Sequence, residues 1–296
     1  MARILITGVG GPAGVALARQ LSGHHLIGVD FADLAHHPVA ALLSEVHRGP
    51  SASDLALVPF LRRLVADSCV DLVIPTVQDE LPAIAAAAAH LGAPVVSAPS
   101  HGVALAHDKL LTAWALAAAG VAVPATVAGE DLDPSALPPF PFVVKPRVSR
   151  GGRGVRVVDD AADLAAVVAD GLGGQMVQHF APGQEYAVQV YREAGRPPAE
   201  VVVLRKTALK QGRVGNAAGV ERCAAGVAAD VADVAARAIR ALDVVGPSDV
   251  DVRRLADGSP VVLEVNARFG ANSEHVPELL ERVLARHLAT PAVGVR

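Results

Sequence analysis

Lysine, arginine and glycine are concentrated in one short stretch, Val144-Lys145-Pro146-Arg147-Val148-Ser149-Arg150-Gly151-Gly152-Arg153-Gly154-Val155, set between two β-rich runs. Gly151, Gly152 and Gly154 free the backbone to turn its N–H groups onto an anion, and such nests favour phosphate. Lys145 ends the incoming strand, and Ser149 with the arginines adds donors. A glycine hairpin with solvated arginines is the plainer use of the same residues. The stretch is not a Walker loop: no G-x-x-x-x-G-K-[ST] occurs, and its glycines open a strand rather than a helix. It fits a flexible loop that covers phosphates from above.

A second grouping comprises Asp249-Val250-Asp251-Val252 and Leu263-Glu264-Val265-Asn266-Ala267-Arg268. Strand residues two apart share a face, so Asp249 projects with Asp251, and Glu264 with Asn266. A turn over 256–259 allows a hairpin that brings Asp251 beside Glu264 and Asn266. Oxygen donors on one face suit Mg²⁺, or Mn²⁺ in its place, bound by a few carboxylates together with nucleotide phosphates. Arg268, on the same face again, can clamp a transferring phosphoryl group or a substrate carboxylate. A solvated polar edge could carry the same residues. However, the intervening Val250, Val252, Leu263 and Val265 imply a wall whose other side is core.

These groups need a scaffold, and the pattern of the chain describes one. Strand signals over Arg3–Thr7, 26–30, 70–75 and 94–98 alternate with a glycine turn over 8–14 and helices over 13–21, 53–66 and 80–91. Such alternation predicts a parallel sheet with helices on both faces. A helix capped by Asp108, with Lys109 in its first turn and Gly120 as its stop, comes next. Residues 131–141 are proline-rich and read as a loop. Thereafter strands over Phe142–Pro146, 155–158, 175–180, 185–191, 201–207, 249–254 and 261–265 are interrupted by two substantial helices, Ala161–Ala169 and 228–242. Strands grouped this way predict antiparallel sheets with helices on one face. The expected architecture is α/β plus α+β: a Rossmann-like unit over 1–99, a unit over 100–180 carrying the glycine loop, and a unit over 181–296 carrying the carboxylates.

The 296 residues are 52% hydrophobic and 19% charged, enough apolar material for more than one packed unit. A formal net charge of −4 carries no basic excess of the kind that marks nucleic-acid binding. Cys69 and Cys223 are too few for a disulfide framework or a cysteine-built metal site. No apolar run approaches the ~18 residues of a membrane span, so a cytoplasmic location without membrane or nucleic-acid partners is expected.

Taken in order, the chain resembles the ATP-grasp superfamily, and within it the carbamoyl-phosphate-synthase-like, amide-forming branch. The resemblance covers nearly the whole chain. It rests on His107-Asp108-Lys109, Val144-Lys145-Pro146, the 149–154 loop, Val177-Gln178-His179-Phe180-Ala181-Pro182-Gly183-Gln184-Glu185-Tyr186, Ser248-Asp249-Val250-Asp251-Val252, and Glu264-Val265-Asn266-Ala267-Arg268-Phe269-Gly270. Each piece alone is weak, and the order and spacing of six carry the match. The resemblance implies an ATP-grasp fold behind a pre-ATP-grasp domain, and an ADP-forming ligase that joins a small-molecule carboxylate to an amine through an acyl phosphate. It further implies that Lys109 and Lys145 hold nucleotide phosphates under the loop of Ser149, Gly151 and Gly152. By the same resemblance, Gln178, His179 and Phe180 read adenine and Glu185 binds ribose. Asp251, Glu264 and Asn266 would hold magnesium, and Arg268 would stabilise the transferred phosphate. Arg205 and Lys206 match family positions only loosely. Two departures stand out: Gln178 where many members carry Glu, and Asp251 where Glu or Gln is commoner. The chain is also short for the tandem halves of a carbamoyl phosphate synthase, which favours a stand-alone carboxylate–amine ligase. Carbamoyl-phosphate or carboxy-phosphate chemistry is the nearest variant. Homodimers are common in the class, although no patch in this sequence marks one.

The main rival is an NAD-dependent oxidoreductase. Gly8-Val9-Gly10-Gly11-Pro12-Ala13-Gly14 follows a strand and opens a helix, and Asp30 ends the next strand, close to the dinucleotide fingerprint. Pro12 removes one N–H from that turn, and no hydride-transfer constellation accompanies it. Thr76, Asp79 and Glu80 stand where open α/β sheets bind ligands, with helix capping as the plainer use. The adjacent pairs His24-His25 and His36-His37 lack the i,i+4 spacing of a helical zinc site. Trp114 is expected in the core, and Ser273 as a helix cap.

Overall fold

The computed structural model describes residues 1–133 and 139–288, so part of the proline-rich 131–141 segment lies outside the described residues. The chain begins with β1 (Arg3–Thr7), α1 (Pro12–Gln20), β2 (His25–Asp30), β3 (Glu45–Arg48), α2 (Leu57–Asp67), β4 (Leu72–Ile74) and α3 (Leu81–Ala87). The strands form a parallel sheet in the order β3-β2-β1-β4. Their near-continuous apolar runs are what a sheet covered on both faces requires. On one face Leu5, Ile27 and Val73 meet Leu57, Leu61 and Ile84 from α2 and α3. On the other, Ile4 and Ile6 meet Leu17 from α1 and Leu21 just after it. The expected strand over 94–98 is reduced to a single parallel bridge between Val73 and Val95. The unanticipated β3 is an edge strand with little apolar character. Its Glu45 holds it to the sheet by accepting from Arg3 at 2.6 Å and Ser68 at 3.1 Å and by pairing with His25 at 2.8 Å.

Two helices, α4 (Ser100–His107) and α5 (Lys109–Ala118), lead to β5 (Thr126–Ala128), β6 (Phe142–Pro146), β7 (Arg156–Val158), α6 (Ala161–Ala169) and β8 (Gln175–His179). These strands make an antiparallel sheet in the order β5-β8-β6-β7. The remainder comprises β9 (Glu185–Arg192), β10 (Pro198–Gln211), β11 (Val214–Arg222), α7 (Ala229–Ala241), β12 (Gly246–Arg254), β13 (Pro260–Asn266) and α8 (Pro277–Leu288). Its five strands form an antiparallel sheet in the order β11-β10-β9-β12-β13. The α/β plus α+β architecture read from the sequence is therefore the one observed.

Period-two alternation gives the larger sheet two different faces. Val188, Val190, Val250 and Val252 pack against Val103 of α4, Leu116 of α5, and Val234 and Ile239 of α7. On the opposite face Ala187, Tyr191, Val202 and Leu204 share a core with α1, with β1 and with Leu279 and Val283 of α8. Beyond those apolar residues this second face turns polar, and it forms one wall of the cleft described below. α4 and β11 were not read from the sequence, and the helix start read at Ser273 belongs to α8, which begins four residues later at Pro277. Trp114 corrects another expectation. The inward face of α5 comprises Lys109, Leu110, Thr112, Ala113 and Leu116, and helical phase leaves Trp114 outside it with 47% of its surface exposed.

Candidate active site

The site is assembled where the smaller antiparallel sheet faces the polar end of the larger one. Asp108 fastens its first corner. Its Oδ1 accepts from the Leu110 and Leu111 N–H groups at 2.9 and 3.2 Å, capping α5 as expected, while Oδ2 accepts from Arg147 Nη2 at 2.6 Å. The Lys109 N–H also donates to the Arg147 carbonyl at 2.9 Å. One carboxylate thus ties the start of α5 to the loop after β6 and directs Lys109 inward. The buried Lys109 ammonium stands 3.3 Å from Glu264 and donates to the Ser149 carbonyl at 2.5 Å.

Lys145, at the end of β6, projects from the smaller sheet towards the larger. Its ammonium donates to Gln178 Oε1 at 3.0 Å and reaches the Leu263 carbonyl at 3.5 Å. The register shift between β12 and β13 beside Leu263 is a bulge, a common means of re-aiming backbone groups at a site. Burial pushes the Lys145 ammonium down to about 8, against the opposing pull of Glu264.

The opposing wall follows from strand register. Asp251 lies directly across from Glu264, and Asp249 from Asn266, as the hairpin predicted. One residue that the sequence reading left at the margin completes this wall. Lys206 on β10 donates to Glu185 Oε1 at 2.5 Å and to Asp251 Oδ1 at 2.6 Å. Burial opposes its charge, but the carboxylates of Asp251 and Glu185 outweigh burial and hold the ammonium above its ordinary range. Its neighbour Arg205 falls on the other face, where it pairs with Glu221 at 2.5 Å in solvent. Arg268 donates to Asn266 Oδ1 at 3.0 Å and to the Phe269 carbonyl at 2.8 Å. Behind this wall Asp249 is buried against Gln189, and burial together with the Asp251 charge pushes its carboxyl up to about 7.

Among the described residues no three His, Cys, Asp or Glu side chains converge as a metal cluster. The donor set here is different, two cross-strand carboxylates and an amide, all hard oxygen donors on one face. It fits a magnesium ion whose remaining ligands are phosphate oxygens and water.

The segment expected to read adenine, Gln178, His179 and Phe180, spans the end of β8 and the start of the connection after it. Gln178 and His179 remain within the β8 ladder, and the His179 N–H is given to the Ala125 carbonyl at 2.9 Å. The Gln178 amide is engaged by Lys145 and by Thr126 Oγ1, the latter at 3.0 Å. The connection between sheets is therefore 180–184, beginning at Phe180. The Phe180 ring lies under Arg253 and Arg213, with guanidinium carbons 4.9 and 5.6 Å from its centroid. Glu185, the residue expected at ribose, is held by Lys206 and stands 3.7 Å from Arg253.

The glycine loop lies between the N-terminal unit and the β10–β11 hairpin. Gly151, Gly152 and Gly154 all have φ near +70°, at 66°, 73° and 72°, so each occupies the left-handed region. Arg150 pairs with Asp79 from the N-terminal unit. A Cβ on Gly152 would stand 2.3 Å from Gln211 Oε1 and 3.0 Å from Gly215 Cα, which places the loop against the β10–β11 hairpin. Gly152→Pro is therefore expected to lower kcat about 100-fold while changing the dissociation constant for ATP by less than about fivefold, since proline cannot adopt this φ. Single-turnover rates and equilibrium titration separate the two effects, and equal losses in both would make the loop structural.

The rival glycine turn is closed upon itself. Asp30 accepts from the Gly10 and Ala32 N–H groups, both at 3.0 Å, so the acid that would meet a ribose is bonded to the turn's own backbone. A Cβ on Gly14 would lie 2.5 Å from Val9 Cα, so that glycine serves the seating of α1. Glu80 ties the adjacent turn by accepting from the Thr76 and Val77 N–H groups at 3.2 and 3.1 Å and from the Thr7 hydroxyl. Burial pushes its carboxyl up to about 7. Ser273 is not a side-chain cap. It lies within a 3₁₀ turn, buried, with its hydroxyl unpartnered among the described residues.

A parallel N-terminal sheet followed by two antiparallel sheets that enclose lysines and carboxylates is the build of a nucleotide-grasping ligase. A family model described as an ATP-grasp domain matches residues 106–272, which is 167 of the 296 residues. The chain belongs to the ATP-grasp family of ATP-binding ligases. Among solved structures it is similar to an L-amino acid ligase from Bacillus licheniformis, with a TM-score of 0.77, 22% identity, and coverage of 98% of this chain and 74% of that one. A biotin carboxylase from Campylobacter jejuni gives a TM-score of 0.70 at 16% identity, covering 98% and 72% of the two chains. N5-carboxyaminoimidazole ribonucleotide synthetase from Thermotoga maritima gives 0.67 at 18% identity, covering 98% and 77%. At these identities the likeness is one of fold. In sequence, the chain is 33% identical over 197 residues to the uncharacterized protein y4rH of Sinorhizobium fredii; the match covers 59% of this chain and 38% of that relative's length. No helix among the described residues is long and apolar enough to cross a membrane.

Proposed function

We propose that this protein is an ADP-forming carboxylate–amine ligase acting on amino-acid-like substrates. In the first step the substrate carboxylate attacks the γ-phosphorus of ATP, giving an acyl phosphate and ADP. An amine then attacks the acyl carbon, forming the C–N bond as the bond to phosphate breaks. The observation that carries this reading is the Lys145 ammonium, buried between the two sheets and facing the Asp251–Glu264 pair from across the cleft.

Little covalent work falls to the protein in phosphoryl transfer, so position and charge carry the rate. Lys109 and Lys145 hold the phosphates, and Arg268 meets the charge of the transferring group. Asp251, Glu264 and Asn266 would hold Mg²⁺, which supplies charge neutralisation at the phosphates. The 149–154 loop keeps water from an acyl phosphate that would otherwise hydrolyse. Gln178, His179 and Phe180, at the end of β8 and the start of the turn after it, receive the base, and Glu185 the ribose.

Thermal shift with MgATP, a nonhydrolysable ATP analogue, NAD and NADP tests the reading directly. A ligand at ~100 times its dissociation constant stabilises the folded state by about 2.7 kcal/mol. The expected result is a shift with ATP that requires Mg²⁺ and no shift with NAD or NADP. A shift with NAD alone would move the nucleotide to the 8–14 turn and overturn the proposal.

A further inference from the structure

Thr126 on β5 and Gln178 on β8 are direct cross-strand partners, and Val143 on β6 is the partner of Gln178 on its other side. Lys145, two residues beyond Val143, shares that face of the smaller sheet. A chain of hydrogen bonds runs across it. The Lys145 ammonium donates to Gln178 Oε1 at 3.0 Å, Gln178 Nε2 donates to Thr126 Oγ1 at 3.0 Å, and the Thr126 hydroxyl donates to the Pro124 carbonyl at 2.7 Å. The two ends fix its direction. An ammonium can only donate and a carbonyl can only accept, so the amide turns its oxygen to Lys145 and its nitrogen to Thr126. Gln178 is buried, and among the described residues the Leu263 carbonyl, at 3.5 Å, is the only other hydrogen-bond acceptor that Lys145 reaches. One of the three ammonium N–H groups is thereby left for the cleft. A glutamate at position 178 would offer Thr126 an acceptor where the chain needs a donor, which accounts for the glutamine that departs from the family pattern.

We propose that Thr126 is a positioning residue: by accepting from the Gln178 amide it locks the amide oxygen onto Lys145 and holds that ammonium where the nucleotide phosphates bind. The inference rests on the ligase reading above and adds to it a side chain two hydrogen bonds removed from the ammonium. Without the hydroxyl the buried amide nitrogen has no acceptor, so the side chain turns to find one and takes its oxygen from Lys145. The β8 backbone stays in place, because β5 and β6 hold it from both sides.

The experiment titrates MgATP and adenosine against Thr126→Val and Thr126→Ser. Valine keeps the β-branched shape that a strand favours, and serine keeps the hydroxyl. Thr126→Val should weaken MgATP binding about tenfold or more while changing adenosine binding, which involves no phosphate, by less than about twofold. Thr126→Ser should bind both within about twofold of the unaltered protein. In a Gln178→Leu background, where the amide is already gone, adding Thr126→Val should change MgATP binding by less than about twofold. If Thr126→Val does not fold, Thr126→Ala carries the same expectation. Equal losses for MgATP and adenosine would make Thr126 part of the general framework and overturn the inference. So would unchanged MgATP binding by Thr126→Val, a serine variant no better than valine, or a full further loss in the Gln178→Leu background. In each of those outcomes the unaltered protein still binds MgATP and the ligase reading stands. No MgATP binding by the unaltered protein would overturn both.

Discussion

Glu264→Gln is expected to lower ADP formation by at least about 1000-fold, the upper range for removing one preorganised electrostatic contact. The melting temperature should move by no more than a few degrees. The substitution keeps the shape of the side chain and its place opposite Asp251. What it removes is the charge that Lys109 faces at 3.3 Å and one of two carboxylates proposed to hold magnesium. Lys109 retains the Ser149 carbonyl at 2.5 Å, so its buried ammonium is not left without an acceptor. Mg²⁺ titration of the ATP-induced thermal shift supplies a readout apart from turnover, and the half-saturating Mg²⁺ concentration should rise about tenfold or more. Turnover near that of the unaltered protein, with an unchanged Mg²⁺ requirement, would remove Glu264 from the metal set.

The pairing of Asp251 with Glu264 was legible because strand alternation and a short turn leave a hairpin few registers. The same local grammar places Asp108 at the head of α5. Lys206 shows where such reading stops. Its face on β10 follows from alternation, but its partners depend on the bulged register of β10 against β9 and on the pairing of β9 with β12, a segment far away in sequence. His179 was read at the end of a strand over 175–180, but nothing near it in sequence indicates that Ala125, more than fifty residues earlier, takes its N–H. Trp114 was placed in the core, whereas helical phase puts it on the exposed face of α5. The apolar stripe of α8, Leu279, Leu280 and Val283, is present in the sequence. Its partner is not, since that partner is the core beneath the N-terminal sheet. The 8–14 turn failed in the opposite way. A glycine pattern fit for pyrophosphate is used to seat a helix and to bond Asp30, and only the position of that carboxylate distinguishes the two uses.

Lys206→Met is expected to destabilise the protein by about 3 kcal/mol or more, the scale for removing one partner of a buried ion pair. Only 5% of the Lys206 side chain and 9% of the Glu185 side chain are exposed, and 23% of Asp251. The methionine fills much of the lysine volume but leaves two carboxylates facing one another with no cation between them. Arg253, 3.7 Å from Glu185, is committed to the Gly183 and Arg213 carbonyls at 3.0 and 2.8 Å and does not take over that position. If the loss comes from those two charges and not from packing, adding Glu185→Gln to Lys206→Met should recover part of it, although Glu185→Gln alone destabilises. Such a sign reversal in a double-mutant cycle isolates the coupling from the cavity. Denaturant unfolding of the four proteins measures it. Additive losses would reduce Lys206 to a packing residue, and its bonds to Glu185 and Asp251 would then contribute nothing to the order of this wall.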